Sequence, residues 1–289
     1  MKTYLECVPC FLQMALKNVR QFTNDENKQE QLMREVLVEM SNMDLSLSPP
    51  EIGHRIFGLI NNICGDSDPY LEDKRRFNKF ALELLPDLRK KVKESNNPFE
   101  MAVRLSIAGN IIDLAANADI NENDVIHTID DCITAKLYSD EDLLSLEADV
   151  KNSDRVMILG DNAGEIVFDQ LLIEQIPDGR VIYVVKGSPV VNDATIADAE
   201  ETGLTKLANV IDNGSSAPGT ILDDCSEGFV EKFNKADLVI SKGQANYETL
   251  SDVNKNIFFV LKVKCPIIAD DLGYEVGNCI IKKNNHNMD

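Results

Sequence analysis

Asp161, Asn162 and Asp193 are the side chains in this sequence best suited to chemistry. Two carboxylates and an amide oxygen are the hard ligands that Mg²⁺ or Mn²⁺ prefers, with open positions left for water and a phosphate. Asp161 and Asn162 lie in Gly160-Asp161-Asn162-Ala163-Gly164-Glu165, directly after the apolar run Val156-Met157-Ile158-Leu159. Asn192-Asp193 follows a second apolar run and Lys186-Gly187-Ser188. A strand that ends on oxygen-bearing side chains, a glycine and a helix start reads as an open α/β site for a divalent metal beside a phosphate. Gly164 would let the backbone approach an anion, and Glu165 opens the helix. The plainer alternative makes Asp161 and Asn162 only a helix cap and a turn.

Other residues extend the pattern. Lys242-Gly243 closes a fourth apolar run, so Lys242 reads either as a point charge for a phosphate or as an exposed turn lysine. The stretch 213–220, with Ser215, offers N–H groups and hydroxyls to a phosphate or sugar, or is a plain surface loop. Asn110, Asp113 and Asn117 share one face of an apolar helix, facing solvent or lining a site, because each buried unsatisfied group costs about 1–3 kcal/mol. Asp68-Pro69-Tyr70, Lys74 and Asn78 repeat this spacing. Cys7-Val8-Pro9-Cys10 suggests a second metal or a redox pair that Cys265 would join, or else unreactive thiols. His54, His127 and His286 show no ligand spacing. Gly160 and Gly164 do not make the three-glycine dinucleotide fingerprint, and neither a Lys-Ser/Thr phosphate loop nor a methyl-donor loop appears. An aspartyl-phosphate pair is also missing, since residue 163 is Ala.

These residues need a scaffold. Apolar spacing of three and four predicts helices over 4–21, 28–43, 49–64, 69–85, 87–94, 97–117 and 140–149, with Pro86 separating two of them. Short β-branched runs at 155–160, 180–186, 208–212, 237–241, 257–263 and 279–282 then predict buried strands. The expected architecture is α/β: a helical domain over 1–152, then a Rossmann-like three-layer α/β/α domain over 153–289 with a mostly parallel sheet. The 289 residues are 44% apolar, enough for a sizeable core. With 49 acidic against 29 basic residues the net charge is −20, which disfavours nucleic acid as a partner. No apolar stretch approaches the roughly 20 residues that cross a bilayer, and no basic amino-terminal region precedes an apolar block, so a cytoplasmic protein without a membrane partner is expected. Seven scattered cysteines argue against a disulfide framework.

Taken in order, Cys7-Val8-Pro9-Cys10, Asp68-Pro69-Tyr70 with Lys74 and Asn78, Gly109-Asn110 with Asp113, the 160–165 hexapeptide, Asn192-Asp193 and Lys242-Gly243-Gln244-Ala245-Asn246-Tyr247-Glu248 resemble the damage-control phosphatase family, once called domain of unknown function eighty-nine. The cysteine pair resembles its shorter, prokaryotic branch. The resemblance implies a metal-dependent phosphatase, with Mg, Mn, Co or Ni as cofactor, hydrolysing small phosphorylated metabolites. It implies Asp161, Asn162 and Asp193 as metal ligands, with Asn110, Asp113 and Lys242 around the phosphate and Asp68 and Lys74 nearby. The rivals are a metal- or metabolite-binding protein without turnover and, ranked lower, a methyltransferase.

Overall fold

Six short apolar runs form the strands β1 (Val156–Leu159), β2 (Val181–Val185), β3 (Asn209–Asp212), β4 (Leu238–Lys242), β5 (Ile257–Lys262) and β6 (Cys279–Lys283). The computed structural model describes residues 1–64, 68–110, 122–134 and 140–284. The strands make one sheet in the order β3-β2-β1-β4-β5-β6, parallel except for β6. Central β1 is buried along its whole length, which is why it reads as an unbroken apolar run rather than an alternation. The chain steps outward from β1 to β3 and then returns to β4 on the other side of β1. The carboxyl ends of β1, β2 and β4 therefore border the crevice where strand order reverses, and ligands of open α/β sheets bind in such crevices.

Helices α1 (Cys7–Phe22), α2 (Glu26–Ser41) and α3 (Pro49–Cys64) close on a core of their own, with Phe11, Ala15, Val19, Leu32, Val36 and Ile56 buried at helical spacing. Helices α4 (Leu71–Glu94), α5 (Pro98–Gly109), α6 (Glu122–Thr134), α7 (Asp140–Asn152) and α8 (Glu165–Ile173) instead share one core with a sheet face, where Phe77, Leu105 and Ile107 meet Ile158, Phe168 and Tyr183. On the opposite face α10 (Glu227–Lys235), α11 (Gln244–Leu250) and α12 (Pro266–Leu272) cover Met157, Val239 and Phe259. The short α9 (Ile196–Glu201) follows the β2 loop. The apolar core thus runs across positions 152 and 153, because α4 to α7 form part of the layer on the sheet.

Two helices differ from the periodicity. Pro86 does not end a helix: α4 continues through it, since Leu85 and Leu88 are buried on either side and their packing outweighs a proline cost of about 3 kcal/mol. Helix α5 runs Pro98–Gly109, with Asn110 as its C-cap. Asp113 and Asn117 lie outside the described residues. Helix α6 is a helix the periodicity did not yield, although Val125, Ile126, Ile129, Cys132 and Ile133 recur at helical spacing, because acids and amides at 122–124 and 130–131 surround a short apolar stripe.

Candidate active site

The loops after β1 and β2 are laced together. Asn162 and Asp193 form an isolated antiparallel bridge, Ala163 N–H donates to the Asn192 carbonyl (2.8 Å), and Ala194 N–H donates to the Asp161 carbonyl (2.9 Å). Side chains repeat the connection, since Asn192 Nδ2 donates to Asn162 Oδ1 at 2.8 Å. Asp161 Oδ2 accepts from Asn162 Nδ2 (2.8 Å) and, from the end of α5, Asn110 Nδ2 (2.7 Å). Just before this pair, Val191 holds φ at 47°, a left-handed backbone that a β-branched residue rarely adopts. Such strain persists only where surrounding contacts enforce it, and here the bridge and the Asp193 N–H bond to the Val190 carbonyl (3.0 Å) do so.

Two glycines make room. A Cβ on Gly160 would lie 2.7 Å from Tyr183 Oη. Gly243, at φ 79°, lies so close to Asp161 that a Cβ there would overlap the carboxylate. The backbone of the β4 loop therefore backs directly on the first candidate ligand, a close approach only glycine permits.

Beneath these groups lies a sealed ionic network. Lys242, Glu165 and Asp169 are all fully buried, and Lys242 Nζ donates to Glu165 Oε1 (2.5 Å), Asp169 Oδ1 (2.7 Å) and the Ser106 carbonyl (3.1 Å). Asp169 also accepts from Ser106 Oγ (2.5 Å) and Tyr183 Oη (2.6 Å). Glu165 reaches upward, its Oε2 accepting from Asn110 Nδ2 (2.8 Å) and Asn162 Nδ2 (3.1 Å). Burial pushes the Asp169 carboxyl above its usual range and drives the Tyr183 hydroxyl up. For Lys242 burial acts the other way, yet the two carboxylates outweigh it and hold the ammonium charged. Carboxylates at Asp161, Glu165, Asp169 and Asp193 outnumber the ammonium groups of Lys186 and Lys242, a balance that draws a further cation.

Several residues singled out from the sequence are placed differently from the expectation. Lys242 has three donors and all three are taken inside the protein, so it underpins Glu165 rather than reaching a phosphate. The Gly164 N–H donates to Asn78 Oδ1 at 2.7 Å, so it holds α4 rather than facing an anion. Ser215 Oγ donates to Asp224 Oδ2 (2.5 Å), bracing its own loop. Lys74, buried, pairs with Asp68 (3.2 Å) and Asp198 (2.9 Å) beside the site, and Asn78 Nδ2 donates to Asp198 Oδ1 at 3.0 Å. Asp198 in turn caps α9 just after Asp193. Cys7 is half-buried and Cys10 exposed, both in the first turn of α1; burial, helped by Glu248, Cys265 and Cys10, pushes the Cys7 thiol up against a hydrogen bond from the Tyr4 backbone. Among the described residues no three His, Cys, Asp or Glu side chains are grouped to hold an ion.

One group was passed over. Lys186, at the end of β2 and buried, sits 3.4 Å from Asp193 Oδ2 and donates to the Gly219 carbonyl. The sequence signal was there, a lysine directly after a buried apolar strand, but Lys242 carried the same signal.

A hard divalent ion fits this donor set. Asn110 Oδ1 is buried with no hydrogen-bond partner among the described residues, while the same amide holds Asp161. A buried amide oxygen left over beside two carboxylates and another amide is an oxygen-rich corner that a cation would satisfy. The centre contains two carboxylates and is completed by amides, so it differs from a site built of His, Cys and acids. Next to it, Asn18, Asn61, Asp68, Tyr70 and the turn 189–191 line a narrow pocket of about 20 Å³.

Residues 3–280 match a family model described as the damage-control phosphatase ARMT1-like domain. A damage-control phosphatase of Pyrococcus horikoshii is 34% identical over 98% of this chain and 99% of its own length. A damage-control phosphatase of Archaeoglobus fulgidus is 34% identical over 96% of this chain and 97% of its own. An uncharacterised protein of Methanocaldococcus jannaschii is likewise 34% identical, over 96% of this chain and 94% of its own. The crystal structure of a DUF89 family protein from Pyrococcus horikoshii superposes with a TM-score of 0.89 at 32% identity, covering 99% of this chain and 100% of that one.

Proposed function

The chain belongs to the damage-control phosphatase ARMT1-like domain family, and from that premise we propose that it is a metal-dependent phosphatase of small phosphorylated metabolites in the cytoplasm. The observation that carries this reading is the bridge between Asn162 and Asp193, which brings Asp161, Asn162 and Asp193 from two strand ends to one point. These three would hold the divalent ion, Mg, Mn, Co or Ni. When bound, the ion supplies charge neutralisation on a phosphoryl oxygen and lowers the pKa of a coordinated water.

The chain's own residues do the rest. Lys186, whose partners are Asp193 and a carbonyl, is the cation placed to meet a phosphoryl oxygen, a task that suits an ammonium point charge. Asn110 positions Asp161, and Glu165 fixes the Asn110 and Asn162 amides. Lys242, shared with Asp169, holds Glu165 in place from below. A carboxylate oxygen of Asp161 or Asp193 orients the attacking water. Asp68, held by the buried Lys74, lines the narrow pocket beside the site, on the side from which the substrate would approach.

The test is release of inorganic phosphate from a panel of phosphate monoesters with each metal in turn. Release that needs the metal and disappears in Asp161→Ala and Asp193→Ala supports the enzyme. No release with any metal, together with unchanged metal binding in Asp161→Ala, overturns it. Thermal stabilisation by ligands without release would mark a binder instead.

A further inference from the structure

Two cysteines are held together in a way that the phosphatase reading does not use. Cys132 on α6 and Cys279, the first residue of β6, are 147 positions apart in sequence, yet their sulfurs lie 3.3 Å from each other. Both are buried, at 4% and 7% exposure, so the contact is a packed one. Cys279 pairs in register with Lys262 across the β5–β6 ladder, and Arg104 Nη1 donates to the Cys132 carbonyl at 3.3 Å. One thiol can donate to the other, and two cations stand beside the pair.

From this geometry we propose that Cys132 and Cys279 form a reversible disulfide that staples α6 to the edge strand of the sheet. The attacking group is Cys279, because hydrogen bonding from Cys132 and the charges of Lys262 and Arg104 draw its thiol down while Cys132 is pushed up. The oxidant is a small peroxide. The Cys279 thiolate attacks one peroxide oxygen, the O–O bond breaks, and the departing hydroxide takes the thiol proton to leave as water. Cys132 sulfur then attacks the Cys279 sulfenic sulfur, the S–O bond breaks, and the hydroxide leaves as water with the Cys132 proton. Two thiols and one peroxide give one disulfide and two waters, and a dithiol reductant reverses the reaction. The bond closes a long loop between elements already in contact, so the oxidised protein unfolds at higher temperature.

The experiment treats reduced, folded full-length protein with a few equivalents of hydrogen peroxide, blocks remaining thiols, and maps peptides without reduction. The expected result is a linked pair of peptides carrying Cys132 and Cys279, two mass units lighter than the free thiols, with a melting temperature raised by several degrees and restored by dithiothreitol. Cys132→Ser should abolish both linkage and shift, and Cys132→Ala serves if the serine variant does not fold. The Cys7→Ser, Cys10→Ser double variant should retain both, which separates this pair from the amino-terminal one. Blocked, unlinked thiols at both positions after oxidation would overturn the proposal, as would a melting shift that survives in Cys132→Ala.

Discussion

Lys242 ends one parallel strand and Lys186 directly follows another, on the same edge of one sheet, and both are buried. Their surroundings differ. Around Lys242, α5 and α8 bring Ser106, Glu165 and Asp169, so every donor is satisfied and the ammonium is a fixed counter-charge inside the protein. Around Lys186 there are one carboxylate, on the loop that carries the candidate ligand Asp193, and the Gly219 carbonyl. A lysine at a strand end is therefore defined by what the neighbouring helices deliver to it, not by its place on the sheet.

Substitution should separate the two sharply. Lys242→Met leaves Glu165 and Asp169 buried without a cation, and losing one partner of such a group costs about 3–5 kcal/mol. Urea denaturation should show that loss; a variant as stable as the parent would remove the distinction. Lys186→Met should retain the folded state but lower kcat/KM for a phosphate monoester by about 10²–10³-fold, the usual effect of deleting one charge-stabilising donor. If it unfolds as Lys242→Met does, both lysines are structural.

Two smaller effects sharpen the picture from the flanks. Gly243→Ala pushes a methyl group into Asp161 in a backbone that disfavours a side chain, at about 1–3 kcal/mol. Calorimetric titration should show weakened metal binding, and unchanged binding would detach Gly243 from the site. Glu248, buried on α11, gives the weakest signal. Burial raises its carboxyl to about 7 from an ordinary 4.5, against the opposing charges of Lys264 and the Met1 ammonium. The folded state then binds more protons than the unfolded chain between those values, so stability falls as pH rises from about 4.5 to about 7. The slope is at most about 1.4 kcal/mol per pH unit, and Glu248→Gln should flatten it in melts across that range.

The strands were legible because a buried parallel sheet writes itself as short β-branched runs, and all six appear where those runs lie. Asp161, Asn162 and Asp193 stood out because two turns in succession carry acids and amides, and the loops that hold them are bridged. Choosing between two strand-end lysines was beyond one-dimensional spacing. A clue stood in α8 all the same: Glu165 and Asp169 lie four apart on a helix whose other residues, Gln170 aside, are Ile, Val, Phe and Leu, and buried acids at that spacing demand a cation. The hold of Asn78 on Gly164 was illegible for another reason, since it joins residues 86 positions apart through a single amide. Proline at 86 misled because its local cost was visible and the burial that offsets it was not.

The reversal of β6 has a practical meaning for anyone handling this protein. Lys283 pairs with Phe258 near the start of β5, so the chain at Asn284 has travelled back to the edge of the sheet opposite the ligand loops. An affinity tag, fluorophore or surface tether joined beyond that point would leave the mouth of the crevice open to solvent. Immobilised this way, the molecule presents its reactive edge to the bulk phase, an orientation suited to flow assays of metabolite binding.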